Sequence, residues 1–529
     1  MQSAVSMVMG AAVALPWLWP WATPPSPAVP GLLAAWCCTA ALWFSTVTTC
    51  PNAPVQWPWR PLLVLGGLVT LAALRMPVID LALLGGLVGS VVCVLVAAQS
   101  SGSLTRPYHR WLCWGLLAAA MVSTVIAGLQ YCGLLREPFA LLPWLHASPN
   151  EEAYGQLRQR NQFGSLMSLG LAAWLYLAQT GGPRHAGRWW AGLSLLVLTV
   201  GAAMSASRTG ALTWMGLCLL ALVWPPVQAS TLHASHTRRS VGMAWVGFVV
   251  LCGLLPILVS SLNTVELPKI SVFQRLASQP EGLGACESRL VLWRHVLELS
   301  WQRPWLGWGW GELDLAHATQ AVTGERFCSQ LGHAHNLLLH AAVEWGWPLA
   351  LLGLGAVMGW IWRHPPWHAR SPEAILGWSW LGVIGLHSGL EFPLWYGPFQ
   401  LVAGLALGLV MLRPAAEQAT PRSNRGAALM QGTLALWLTG TLWASWDYHR
   451  VSQVFLPASQ RSPACRIQPA DCLDEVVWFH QGRDFAQLSQ GRDRLDAVQA
   501  QALARRVAHF APEPWVLSLT TPTPRAAPH

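Results

Sequence analysis

Stretches without a single charged residue recur along this chain, and each is about as long as a bilayer is thick. They run Trp111–Leu135, Asn161–Pro183, Thr209–Leu232, Trp345–Trp362, Phe392–Leu412 and Gly426–Trp446, and no Asp, Glu, Lys or Arg precedes Arg60. A hydrocarbon core of about 30 Å asks for roughly 20 apolar residues per helix. Only helices and closed barrels can satisfy their backbone there. The short alternating segments that a barrel needs are missing, so the expected fold is all-α and polytopic. Apolar residues at 53% and charged residues at 10% of the 529 agree with this. The N-terminus lacks a basic n-region and its first apolar block runs on into others, which reads as no cleavable signal peptide.

A net charge of +9 does not point to nucleic acid, because the basic residues fall in short loops. These are Arg106–Arg110, Arg184–Arg188, His233–Arg239, Arg363–Arg370 and Arg413–Arg425. Placing them all in the cytoplasm obeys the positive-inside rule and implies about 13 spans with a cytoplasmic N-terminus. Five regions follow: N-terminal spans (1–135), spans with two external polar motifs (136–262), a large periplasmic loop (263–335), further spans (336–446) and a small periplasmic helical region (447–529). Eight of the 12 cysteines lie in or beside apolar stretches, where a thiol packs as a small hydrophobe. The other four lie in external regions. An oxidising periplasm favours Cys286 pairing with Cys328 and Cys465 with Cys472.

The 263–335 loop is hydrophilic and ends in Gly332-His333-Ala334-His335-Asn336-Leu337 at the head of an apolar segment. Titratable groups at a bilayer edge are costly and mark a functional site by default. Within the loop, Glu287–Arg303 reads as a helix lying along the membrane, with Leu290, Trp293, Val296, Leu297 and Ser300 on one face. Gly307-Trp308-Gly309-Trp310-Gly311 reads as a turn, not a dinucleotide loop, since no strand precedes it. A short external hinge spans His387–Trp395, and an amphipathic helix is expected around Asp493–Phe510.

On this topology Arg208, Arg289 and His335 share the external face. Arginine offers a fixed charge and a donor fork suited to phosphate, and two facing one site suit a diphosphate. Histidine can take a proton near neutrality. Together they describe group transfer from a diphosphate-activated donor to a hydroxyl. His333, His340 and Glu344 do not make a zinc-peptidase pattern, and no convergent carboxylates complete a metal site.

Ser207-Arg208-Thr209-Gly210, Ser288-Arg289 with Trp293, Pro304-Trp305-Leu306-Gly307-Trp308-Gly309 and His333-Ala334-His335-Asn336 with Glu344 and Gly346 occur in that order. The pattern resembles the O-antigen ligase and polymerase superfamily of bacterial inner-membrane glycosyltransferases. Gln159-Arg160-Asn161-Gln162-Phe163, the His387–Glu391 stretch with Pro393-Leu394-Trp395-Tyr396, and the tail from Trp446 resemble its protein-glycosylating branch, the bacterial protein O-oligosaccharyltransferases that modify pilins. The resemblance covers roughly residues 150 to 480. It implies an undecaprenyl-diphosphate-linked glycan as donor, a pilin-like periplasmic acceptor protein, and neither cofactor nor metal. It places the base on His335, with His333 as the alternative, and the diphosphate on Arg208 and Arg289; inversion at the anomeric carbon is expected. Gln159, Asn161, Asn336, Glu344, His387 and Glu391 would bind or position substrate.

Other readings stay open at this point. The acceptor could be lipid A core or a second lipid-linked glycan. A transporter would also have many spans, although its polar groups usually sit near the midplane within internal repeats. The tail could add a scaffold role.

Overall fold

The structure is a computed structural model that describes residues 2–50, 59–137, 142, 144–181, 186–223, 231–262, 269–277, 286–412, 424–492 and 495–520. Arg184, residues 263–268 and 278–285 of the loop, and most of Arg413–Arg425 lie outside them, as do the last nine residues. The described residues are helical, without a strand. Five helices come first: α1 (Gln2–Ala14), α2 (Ala28–Thr49), α3 (Trp59–Arg75), α4 (Leu81–Ser103) and α5 (Arg106–Tyr131). Four more lead to the loop: α6 (Arg160–Thr180), α7 (Ala186–Met204), α8 (Arg208–Val223) and α9 (Thr231–Ser260). The loop carries α10 (Val272–Ala277), α11 (Arg289–Gln302) and α12 (Leu313–Thr319). Then come α13 (Leu337–Trp345), α14 (Trp347–Arg363), α15 (Pro372–Ser388), α16 (Gly397–Val410) and α17 (Asn424–Phe455). The tail holds α18 (His480–Gln490), α19 (Ala497–Val507) and α20 (Pro514–Thr520).

This is an all-α, polytopic membrane protein. Among the described residues, four helices (α2, α4, α5 and His236–Ser260 of α9) are long and apolar enough to cross a bilayer, and five shorter ones are apolar. At the centre stand α6 and α16, buried on nearly every side, so their sequences are apolar all round rather than striped. α6 packs among α5, α7, α8 and α15, while α16 packs among α2, α4 and α15. At the periphery the apolar side chains of α14 face outward; only Ala350 is buried. An apolar helix without a protein shell is stable only in lipid.

α11 begins on Ser288, whose hydroxyl accepts from Val291 N, and it buries Leu292, His295, Val296, Leu299 and Ser300. Val296, Ser300 and the partly buried Trp293 keep the expected face, whereas Leu290 and Leu297 point away from the protein. Both sides of α11 carry large apolar residues, so periodicity alone does not tell the protein side from the other. The Gly-Trp-Gly run has a structural use. It lies along the end of α13, where Trp308 N and Gly309 N donate to Val343 O and Glu344 O (2.8 and 3.0 Å), carbonyls that a helix end leaves unpaired. Gly307 and Gly346 both have φ near +70 to +90°, and a Cβ on either would strike the backbone of the opposite segment. The buried Glu344 accepts from Gly311 N at 3.2 Å and so holds this loop. Arg75, ending α3, donates to Gly307 O.

α17 runs nine residues past Trp446, so the tail starts as a continuation of the last long helix. Asp447 on it accepts from the backbone N–H groups of Val477, Trp478 and Phe479. The helix expected at 493–510 is α19, capped by Asp496 and Gln499 in a capping box. Leu315 of α12 joins the small core of α18–α20, and His509 meets Glu312 at 2.9 Å, so the tail rests on the loop.

Candidate active site

The hinge between α15 and α16 buries one carboxylate, Glu391, and three side chains from distant parts of the chain converge on it. Asn161, in the first turn of α6, donates to Oε1 at 2.8 Å. Arg289, the first residue of α11, donates to the same oxygen. His335 Nδ1 stands 2.5 Å from Oε2. A buried carboxylate is tolerable only when its lone pairs are met by donors and its charge by cations, and this one has both. Burial pushes the Glu391 carboxyl up, but the His335 hydrogen bond and the Arg289 charge outweigh it and hold it below the usual carboxylate range. At neutral pH Glu391 is therefore ionised.

The sequence around each donor explains its position. Asn161 sits where α6 begins, and Gln159 is the N-cap residue, its side chain making no cap bond. Gly164 of α6 and Gly210 of α8 touch backbone to backbone, since a Cβ on either would lie 2.8 Å from the other's Cα. That approach lets the Ser207 hydroxyl accept from Gly210 N (2.9 Å) and donate to Asn161 Oδ1 (2.7 Å). Asn336 caps α13 by accepting from Leu339 N and donates to Gly389 O at 3.0 Å, tying the histidine segment to the hinge. Cys286 and Cys328 form a disulfide, which joins the chain just before Arg289 to the chain just before His333. Cys465 and Cys472 form a second one in the tail.

Backbone strain gathers here as well. Glu151, Arg158, Ala206 and His335 have positive φ without being glycine, and each lies on a segment bordering this cluster. Such conformations cost of order 1–3 kcal/mol each and persist only where neighbours impose them. In the 144–160 loop the imposing groups are clear. Gln130 spends both ends of its amide on the backbone of His146, Tyr154 and Gly155. The buried Glu151 pairs with Lys269 at 2.6 Å and with Arg136 at 2.9 Å.

Of the expected site residues, Arg208, His333, His387 and Glu344 make no side-chain hydrogen bond to the Glu391 carboxylate. Arg208 begins α8 beside Ser207, but its exposed guanidinium reaches Arg275 O of α10 (2.6 Å) and not Glu391. His333 does not face the carboxylate: its ring stacks on Phe392 at 4.2 Å and meets His340 and Trp395 edge-on. Burial among those rings, with His340 and His335 adding to it, pushes the His333 imidazole well below its usual range. His387 is fully buried one turn before Glu391, its Nδ1 2.9 Å from Ser165 Oγ, so it supports the hinge from beneath. Glu344 is held in the Gly-Trp-Gly contact already described. The other side of Phe392 meets His335 edge-on at 4.8 Å. Ser207 and Phe392 went unrecognised as site residues in the sequence, although the serine sits three residues ahead of its capped amide, a pattern typical of an N-cap.

Two family models match this chain: "O-Antigen ligase" over residues 193–354 and "Virulence factor membrane-bound polymerase, C-terminal" over residues 375–521. The chain is thus similar to an O-antigen ligase family in its middle third and to a membrane-bound polymerase family toward its C-terminus. The first match contains Arg208, Arg289 and His335, and the second contains Glu391, so the family regions meet at this cluster. A general O-oligosaccharyltransferase of Acinetobacter baylyi (strain ATCC 33305 / BD413 / ADP1) is 24% identical over 352 residues, covering 65% of this chain and 58% of that protein. The chain thus matches over less than two thirds of that relative's length.

Proposed function

We propose that this chain is a protein O-oligosaccharyltransferase of the bacterial inner membrane. Its Glu391 cluster faces the periplasm and moves a preassembled glycan from undecaprenyl diphosphate to a Ser or Thr hydroxyl of a pilin-like protein. The observation that carries the reading is the contact of His335 Nδ1 with a carboxylate that Arg289 and Asn161 also bind. A carboxylate on Nδ1 fixes the proton there and leaves Nε2 as a base, the logic by which an acid orients a catalytic histidine. The acceptor oxygen forms a bond to the anomeric carbon while the bond from that carbon to the diphosphate oxygen breaks, inverting the centre. The hydroxyl proton goes to His335 Nε2, and Glu391 stabilises the resulting imidazolium. Arg289 keeps further N–H donors beyond the one given to Glu391. With Arg208 at the same face, it neutralises the departing diphosphate, the kind of preorganised charge that contributes most to such steps. The similarity to a general O-oligosaccharyltransferase supports transfer of an oligosaccharide to a hydroxyl.

The family descriptions favour a second reading with the same chemistry and a different acceptor, either lipid A core or another lipid-linked glycan. Co-expression with a lipid-linked glycan and a candidate pilin tests the first reading, with the mass of the pilin and the lipopolysaccharide profile read in parallel. Wild type should modify the pilin, and the His335→Ala and Arg289→Ala variants should not. Unmodified pilin beside altered lipopolysaccharide would move the assignment to the second reading.

A further inference from the structure

A cavity of about 700 Å³ opens between α1 and α5, far from the Glu391 cluster. Its floor is backbone: Gly10 and Gly115 meet so closely that a Cβ on Gly115 would lie 2.1 Å from Gly10 O. Small residues on either side of that crossing keep the floor open, while Met7, Trp111 and Trp114 wall it. The lining is apolar with one exception, Arg110, which is its only charged member. The Nε of Arg110 is buried without a hydrogen-bond partner among the described residues, and its guanidinium lies against Gly181 at the end of α6. A cation placed at one end of an apolar groove sets a definite demand on any occupant: a long hydrocarbon portion and an anionic head.

The cation's position along the membrane follows from α15. Arg106, one turn before Arg110, pairs with Glu373 in the first turn of α15 at 2.7 Å. The other end of that helix leads into Gly389–Glu391. A helix of that length spans about 25 Å, so Arg110 sits at the membrane face opposite the Glu391 cluster. The groove is therefore separate from the place where a donor's diphosphate would meet His335.

We infer that the α1–α5 groove is a binding site for an anionic phospholipid of the leaflet opposite the Glu391 cluster, with its acyl chain in the groove and its phosphate on Arg110. The volume falls within the 300–1,000 Å³ usual for ligand pockets. A basic residue near the headgroup contributes about 1 kcal/mol toward anionic lipid, which is roughly a fivefold preference. The lipid also fills the notch beside the seam along which α1 and α5 pack, so occupancy adds to the packing of α1.

The test uses the purified full chain in detergent, mixed with phosphatidylglycerol, with phosphatidylcholine of the same acyl chains, or with inorganic phosphate alone. Retained lipid is counted by native mass spectrometry, and thermal unfolding is followed alongside. Phosphatidylglycerol should be retained about fivefold over phosphatidylcholine and should raise the unfolding temperature more. Arg110→Gln should bring the two lipids to parity. Ala14→Trp, which fills the groove from α1, should lose the retained lipid while the chain stays helical. Equal retention of both lipids by wild type would overturn the site, as would an Arg110→Gln variant that keeps the preference. Retention unchanged in Ala14→Trp would overturn the chain's place in the groove. The same stabilisation from phosphate alone would show an ion site without a lipid.

Discussion

His335 Nδ1 and Glu391 Oε2 stand 2.5 Å apart, although 56 residues separate them in the chain. The carboxylate has two effects on the imidazole: it selects the tautomer and it holds the ring in place. Glu391→Gln keeps the shape but offers an amide in place of an anion, so it loses both the stabilised imidazolium and the charge opposite Arg289. Glycan transfer should fall about 10²–10⁴-fold, the range for removing general acid–base assistance or misorienting its histidine. Glu391→Ala should add instability, because Arg289 then keeps a partly buried charge without its partner. Transfer assays at matched protein levels check both, and an active Glu391→Gln enzyme would sink the dyad.

The two histidines of the His-Ala-His segment should separate cleanly. His333 contacts aromatic rings only and lies in an environment that keeps it neutral. His333→Phe preserves a flat ring on Phe392 and should retain most activity, since an aromatic pair contributes only about 0.5–1.5 kcal/mol beyond its burial. His335→Phe should be inactive at equal expression. If the effects were reversed, the base would be His333.

Much of this architecture is legible in the sequence, for a plain physical reason. Charges cannot stay in hydrocarbon, so charge-free runs announce helices such as α5, α6 and α14, and the polar residues at their ends announce the faces. Arg289 and His335 stand out on that ground alone. Their meeting point does not. Glu391 reads as one polar residue in a hinge, and only the fold brings Asn161 and Arg289 to it from 230 and 102 positions away. The buried side of α11 is hidden because lipid and protein interior select the same residue types. The role of Gly307-Trp308-Gly309 is hidden because a backbone cap on a remote helix leaves no local pattern.

Gly307 and Gly346 should be the least replaceable glycines of this contact. Each has positive φ, and an added Cβ would come within 2.4 Å of backbone atoms of the facing segment, which cannot move aside as a flexible side chain can. Gly307→Ala and Gly346→Ala should each cost at least about 1–3 kcal/mol from conformation alone, with the clash added. Gly353→Ala on α14, where a new Cβ meets nothing within 4 Å, is the control and should be neutral or slightly stabilising. Unfolding temperatures in detergent decide it. A tolerant Gly307→Ala would show that the loop does not pack on α13 in this way.

Helix α12 and its junction with the tail should weaken as pH rises, through two groups of opposite chemistry. Asp314 on α12 has an Oδ1 without a hydrogen-bond partner among the described residues, and burial pushes its carboxyl up to about 6 from an ordinary 3.8. The folded state thus holds this proton longer than the unfolded one does. Stability falls as pH climbs through that interval, by on the order of 1–3 kcal/mol, and stays lower above it. At the junction with the tail, the hydrogen bond to Glu312 raises the His509 imidazole above its ordinary 6.5, against the opposing effect of burial. Its contribution is complete below the unfolded value and disappears as pH passes the folded one. Hydrogen exchange across α12 and α18–α20 between pH 4 and 8 should therefore show faster opening at the alkaline end. Asp314→Asn should remove the part of the slope near pH 4–6 and leave α12 more stable at pH 7 than wild type, because the uncharged amide bears less desolvation cost. His509→Ala should flatten the part above it. Exchange in this region that does not change with pH would mean that neither proton is coupled to the docking of the tail.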